Sequence, residues 1–175
     1  MKNKNVAIVV AFRDFRDIEY FIPRDILVGA GFQIFNVSTK KGIAVGSDGG
    51  EVEINLTPDE FRVEDFDALV FIGGPGMAKN LDNKDFQRMA QEAISASKVL
   101  AAICIAPALL AKAGVLKGKK ATVWSNPMDK SAIKILKEAG ADYQDERVVK
   151  AGLLVTANGP AAAKEFGEVL TKLLA

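Results

Sequence analysis

The sequence predicts an α/β fold, a mainly parallel sheet with helices on both faces, in one domain over residues 1–175. Three observations carry this expectation. Short apolar runs at 5–12, 68–72 and 99–103 alternate with helix-spaced amphipathic segments. Those runs are apolar at nearly every position, as strands buried on both faces are. With 49% hydrophobic and 26% charged residues, the 175-residue chain has enough for one core and a solvated surface. It shows no repeat, low-complexity tract or linker-like shift.

The first strand is expected over 5–12, followed by the polar loop Arg13-Asp14-Phe15-Arg16-Asp17. Apolar spacing predicts a helix over 18–30, stopped by Gly31, with Pro23 in about its first turn, where proline is tolerated. A strand over 32–38 and a small hairpin within 41–54 follow, the latter from Gly42, Gly46 and Asp48-Gly49-Gly50. The strand over 68–72 ends in Gly73-Gly74-Pro75-Gly76, and 83–97 reads as an amphipathic helix. The strand over 99–103 runs straight into Cys104, and a helix over 107–113 is capped by Gly114. A short strand over 120–124, a helix over 129–139 closed by Gly140, and strands near 145–149 and 153–156 come next. The last helix covers about 160–174.

Composition narrows the chemistry. Lys plus Arg is 23 against 22 for Asp plus Glu, a formal net charge of +1, so no nucleic acid or anionic membrane partner is expected. No apolar stretch reaches the roughly 18–20 residues that span a bilayer. The opening Met1-Lys2-Asn3-Lys4-Asn5 does not read as a signal peptide, and one cysteine forms no internal disulfide, so a cytoplasmic location is the default expectation. There is no histidine. A Ser-His-Asp or Cys-His triad within the chain and a histidine-based zinc site are therefore excluded. Acid–base chemistry falls to carboxylates, Lys, Tyr, the thiol or water.

Ligands of open α/β sheets bind where strand C-termini meet helix N-termini. Three features fall at such places. Ala101-Ala102-Ile103-Cys104-Ile105-Ala106-Pro107 has the layout of a nucleophile elbow, in which a sharp turn exposes a side chain beside backbone N–H groups. A helix N-terminus there would favour the thiolate. A lone cysteine is in general more often an inert buried hydrophobe, and the junction tips the reading toward function. Gly73-Gly74-Pro75-Gly76 is by itself a plain strand-to-helix loop, and beside Cys104 a second oxyanion donor. It lacks the phosphate-loop pattern. Glu19 is either a carboxylate favoured by a helix N-terminus or a proton-sharing partner of Cys104. Trp124 lines the pocket or packs in the core or an interface. Asn158 follows a strand and is a candidate pocket residue, although Asn158-Gly159-Pro160 is better read as a turn, and Lys40-Lys41 as a solvated loop.

Four segments, Glu19-Tyr20-Phe21-Ile22-Pro23, Phe71-Ile72-Gly73-Gly74-Pro75-Gly76, Ala102-Ile103-Cys104-Ile105-Ala106-Pro107 and Asn158-Gly159-Pro160, together resemble the ThiJ/PfpI superfamily over nearly the whole chain. That group includes the Parkinson-disease protein deglycase and the PfpI intracellular peptidases. The resemblance implies a flavodoxin-like three-layer sandwich with a nucleophile-elbow cysteine, as in class I glutamine amidotransferases, and a homodimer or larger homo-oligomer. It implies no cofactor and no metal. It makes Cys104 the reactive cysteine and Glu19 the glutamate that, protonated, hydrogen-bonds the sulfur. It makes the N–H groups of Gly74 and Ile105 the oxyanion donors.

The departures matter. The histidine that follows the cysteine in PfpI-type peptidases is Ile105 here, and the pocket histidine of the deglycase branch is missing from 124–126. The expected function is Cys104-dependent deglycase or glyoxalase-like chemistry on methylglyoxal, another small reactive aldehyde, or a glycated amine or thiol. The alternative is an oxidative-stress sensor that forms a Cys104 sulfinate. A PfpI-like peptidase and a structural domain with an inert cysteine rank below these.

Overall fold

The computed structural model describes residues 4–175. Residues 1–3, where the chain was read as opening without a signal peptide, lie outside the described residues. The elements in chain order are β1 (Asn5–Val9), β2 (Arg13–Phe15), α1 (Asp17–Gly29), β3 (Gln33–Val37), β4 (Gly42–Gly46) and β5 (Glu51–Ile54). Then come β6 (Ala68–Phe71), the single turn α2 (Pro75–Ala78), α3 (Lys84–Ser95), β7 (Val99–Ile103) and α4 (Ala106–Lys112). The chain closes with β8 (Lys120–Ala121), α5 (Ser131–Glu138), β9 (Asp142–Tyr143), β10 (Val148–Ala151), β11 (Leu154–Ala157) and α6 (Ala163–Leu174).

Among the described residues, six strands form the central sheet in the order β10-β11-β7-β6-β1-β3. Only β10 is antiparallel to its neighbour. The parallel strands β3, β1, β6, β7 and β11 give the flavodoxin-like order, which reverses direction between β1 and β6. Each parallel strand feeds alternate side chains to two cores. Val6, Ile8 and Val10 pack with Leu27 of α1 and Phe166 and Leu170 of α6. Ala7 and Val9 pack with Phe86 and Met89 of α3, Leu109 of α4 and Leu136 of α5. Continuous apolar runs were required because both faces of these strands are covered.

The hairpin β4–β5 is antiparallel, as expected, and β2 adds to it in parallel. It is fastened to the start of α1 by the Asp17 carboxylate, which accepts the N–H of Asp48 at 3.0 Å and of Gly50 at 2.7 Å. Gly46 and Gly50 leave room for this: a methyl group at either would lie 2.1 and 2.4 Å from an Asp17 oxygen.

Six local expectations are corrected. The 13–17 loop contains β2, and α1 begins one residue early, at Asp17. Pro23 is therefore the seventh residue of α1, not a first-turn residue, and removes the donor that would meet the Glu19 carbonyl. Packing holds the helix there, since Gly167 lets α6 approach so closely that a methyl would lie 3.0 Å from Pro23 Cα. The strand expected over 120–124 is only Lys120–Ala121, paired with the unexpected β9. Beyond it single bonds replace the ladder: Thr122 N–H donates to Thr156 Oγ1 and Trp124 N–H to the Cys104 carbonyl. The strand placed near 145–149 begins at Val148, and the last helix starts with a 3₁₀ turn, Pro160–Ala162.

Asp17→Ala is expected to cost about 1–3 kcal/mol, because the hairpin loses a buried charged acceptor that holds two part-buried N–H groups. Urea denaturation checks this, and an unchanged midpoint refutes the fastening role.

Candidate active site

Cys104 follows β7 directly and adopts φ of +63°, a left-handed conformation that costs an L residue of order 1 kcal/mol or more. Two hydrogen bonds hold it there. Its N–H donates to Ala157 O of β11 at 2.9 Å, and its carbonyl accepts from Trp124 N–H at 2.8 Å. The turn breaks the strand alternation, so Ile103 and Cys104 belong to the same core, the one beneath α1 and α6. The side chain is 6% exposed.

On that same side lies Glu19 of α1, completely buried. Gly73 separates the two: a methyl there would lie 2.7 Å from Cys104 Cβ and 3.0 Å from Glu19 Oε2. The Cys104 thiol is the hydrogen-bonding group beside the carboxyl. The contact is looser than a full-geometry hydrogen bond, and neither carboxyl oxygen has another partner among the described residues. Burial, against the pull of the thiol and of Arg16, pushes the Glu19 carboxyl up to about 7.

The thiol is also pushed above its ordinary range, by burial first and then by the Glu19 charge and hydrogen bond. The Ile105 N–H at the sulfur and the Arg16 charge pull the other way and lose. This corrects the expectation that the helix position would favour a free thiolate. Seven-residue α4 offers little compensation for removing sulfur from water. Below about 7 the pair holds two protons, one on each group; as Glu19 ionises through that pH one proton remains, and it rests on sulfur.

Outward from the sulfur is a cavity of about 370 Å³, within the range of small-molecule sites. Cys104, Gly74, Ile105 and Trp124 line it, as does Arg16. Gly74 has φ of +114°, and a methyl on it would lie 2.5 Å from Arg16 N, so glycine is required on two counts. Among the described residues, neither the Gly74 nor the Ile105 N–H donates to a backbone carbonyl. Glu19 and Gly73 lie outside the lining, behind the cysteine. Asn158 is also outside it: its N–H bonds to Arg147 O at 3.0 Å, in keeping with the turn reading.

Sequence reasoning missed Arg16 and the α5 side of the cavity, Asp129, Ser131, Ala132 and Ile135. Arg16 was legible in part, as a charged residue after β1 and three before Glu19, at the edge where such sheets bind ligands. The α5 contribution carried no local signal. Among the described residues no group of His, Cys, Asp and Glu is arranged to hold a metal. No helix among them is long and apolar enough to cross a membrane.

Comparison with known proteins shows which chains this one is similar to. The sequence model of the DJ-1/PfpI family matches residues 4–173. An uncharacterized protein of Methanocaldococcus jannaschii is 42% identical over 172 residues, 97% of this chain and 82% of the relative. Deglycase PfpI of Pyrococcus furiosus is 32% identical over 161 residues, 92% of this chain and 94% of the relative. The crystal structure of a ThiJ/PfpI domain protein from Brachyspira murdochii superposes with a TM-score of 0.94 at 31% identity, covering 99% of this chain and 98% of that one.

The Glu19 shift has a stability consequence. A carboxyl raised from 4.5 to about 7 binds its proton more tightly folded than unfolded, so its contribution is full below pH 4.5 and is lost as pH rises through 7. Glu19→Gln removes the titration. The variant should gain on wild type by up to about 3 kcal/mol between pH 5 and pH 8. Urea midpoints at the two pH values measure this, and a pH-independent difference rules out the buried titration.

Proposed function

The chain belongs to the DJ-1/PfpI family, and on that premise we propose that it is a Cys104-dependent enzyme of reactive carbonyls, converting methylglyoxal or its adducts with amines and thiols. One observation carries the reading: a fully buried carboxyl, raised to about 7, that faces the thiol of an elbow cysteine at the floor of a cavity. Such a group is a base poised for use near neutrality. It also supplies the acid–base function in a chain without histidine.

Ionised Glu19 takes the thiol proton as the sulfur bonds to the aldehyde carbon, which spares the site a free buried thiolate. The N–H groups of Gly74 and Ile105 face the oxygen that gains charge, and the Arg16 cation favours that charge. Glu19 then returns the proton. For methylglyoxal, a hydrogen shift oxidises the aldehyde carbon and reduces the ketone carbon, and water releases the hydroxy acid from sulfur. No external oxidant or reductant is consumed. For an adduct, the amine or thiol leaves repaired. The homodimer and single-domain organisation expected from the sequence belong to the same proposal.

Purified protein should consume methylglyoxal with stoichiometric appearance of lactate, and Cys104→Ser should stop it. Glu19→Gln should slow it by about 10²-fold. In wild type the rate should rise with pH through about 7 as Glu19 ionises, an inflection that Glu19→Gln abolishes. Enzyme that leaves methylglyoxal untouched sinks the reading.

A further inference from the structure

We propose that the Cys104 cavity selects carbonyl compounds that carry a carboxylate, with the Arg16 guanidinium as the group that receives it; this rests on the carbonyl reading above. Arg16 and Cys104 line the same cavity. The Arg16 Nε is buried and has no hydrogen-bond partner among the described residues, nor does the guanidinium belong to any ion pair there. A buried donor without an acceptor is costly, and a charged one more so. The remedy within reach is an acceptor brought by a ligand.

The position of Arg16 is built rather than incidental. Its N–H donates to Gly73 O at 3.0 Å, and Gly74 lacks a side chain where one would strike that nitrogen. The β6 loop thus fixes the root of the side chain beside the elbow. That its charge acts on both Cys104 and Glu19 agrees with this closeness.

The rest of the cavity decides which anion fits. Pro75, Leu81, Ile105, Trp124 and Ile135 offer apolar walls. The other charged lining group, Asp129, already accepts from Ser131 N and Oγ at 2.9 and 2.6 Å. A phosphate dianion would therefore set two negative charges against one cation, with the Asp129 carboxylate on the opposing wall. A carboxylate presents one charge and a planar pair of oxygens that matches the guanidinium fork. The substrate class is then a small oxo acid or aldehyde acid. The sulfur–carbon bond forms, the carbonyl π electrons move to oxygen, and the thiol proton reaches that oxygen through Glu19. Nothing is oxidised or reduced in this addition.

Paired alkylating agents test the inference without needing turnover. Iodoacetate and iodoacetamide have nearly the same size and the same leaving group. Each forms a sulfur–carbon bond at Cys104, releases iodide, and leaves the thiol proton to solvent. The ratio of their rates, iodoacetate over iodoacetamide, should be about tenfold higher in wild type than in Arg16→Gln, with Arg16→Lys between them. Equal ratios in wild type and Arg16→Gln overturn the proposal.

A second arm uses wild-type protein alone, in case the variants do not fold. Glyoxylate should protect Cys104 from iodoacetamide saturably, and inorganic phosphate at the same concentration should protect far less. Equal protection by phosphate, or none by glyoxylate, overturns the carboxylate assignment. Because alkylation requires only the thiol, failure here is separable from failure to consume methylglyoxal.

Discussion

An L residue enters the left-handed region only when its surroundings leave no better choice, and Cys104 is held there by bonds from two separate parts of the chain. Ala157 ends β11, and Trp124 stands in the segment that follows β8; between them they use both the N–H and the carbonyl of Cys104. The site depends on this clamp. It turns the thiol off the strand alternation, toward the α1 side where Glu19 waits, and starts α4 at the next residues. Without it, residue 104 would continue the alternation and face away from Glu19.

Glycines do the complementary work of bringing backbones together. At Gly73 any side chain would collide with Cys104 Cβ and the Glu19 carboxyl, and at Gly76 with Arg13 O and Ala11 Cβ. The loop after β6 is thus pressed against the entry to α1 and against the elbow at once. A buried carboxyl, a thiol and a guanidinium come together because β1, β6 and β7 are neighbouring parallel strands whose C-terminal ends lie side by side, at and next to the point where the strand order reverses.

The electrostatics of that cluster differ from those of a thiolate at a helix terminus. Burial dominates for both Glu19 and Cys104; the Glu19 charge and hydrogen bond raise the cost of ionising the thiol, whereas the thiol's hydrogen bond eases the ionisation of Glu19. A site of this kind keeps its nucleophile protonated at rest and couples deprotonation to bond formation. That suits reversible addition to an electrophilic carbonyl. It suits indiscriminate attack by peroxide less well, since oxidation follows thiolate character and exposure. Arg16 leans the balance toward negative charge without being close enough in energy to overcome desolvation.

How much of this was legible in the sequence follows from the range of each cause. Local pattern settled what local physics controls: the apolar runs of β1, β6 and β7, the stops at Gly31 and Gly114, the hairpin glycines of β4–β5, and Cys104 at a strand end. It misjudged Pro23 and residues 120–124, where packing against α6 and single bonds to Thr156 and Cys104 replace local preference. The pairing of Cys104 with Glu19 came from resemblance to a family rather than from spacing, since residues so far apart in the chain meet only through the sheet. By itself, then, the sequence determined an α/β chain with an elbow cysteine and no histidine to serve it. Only the tertiary structure decided that the thiol is buried against a carboxyl and opens toward an arginine that has no ion-pair partner among the described residues, because burial and charge proximity are properties of the assembled strand ends and of no single segment.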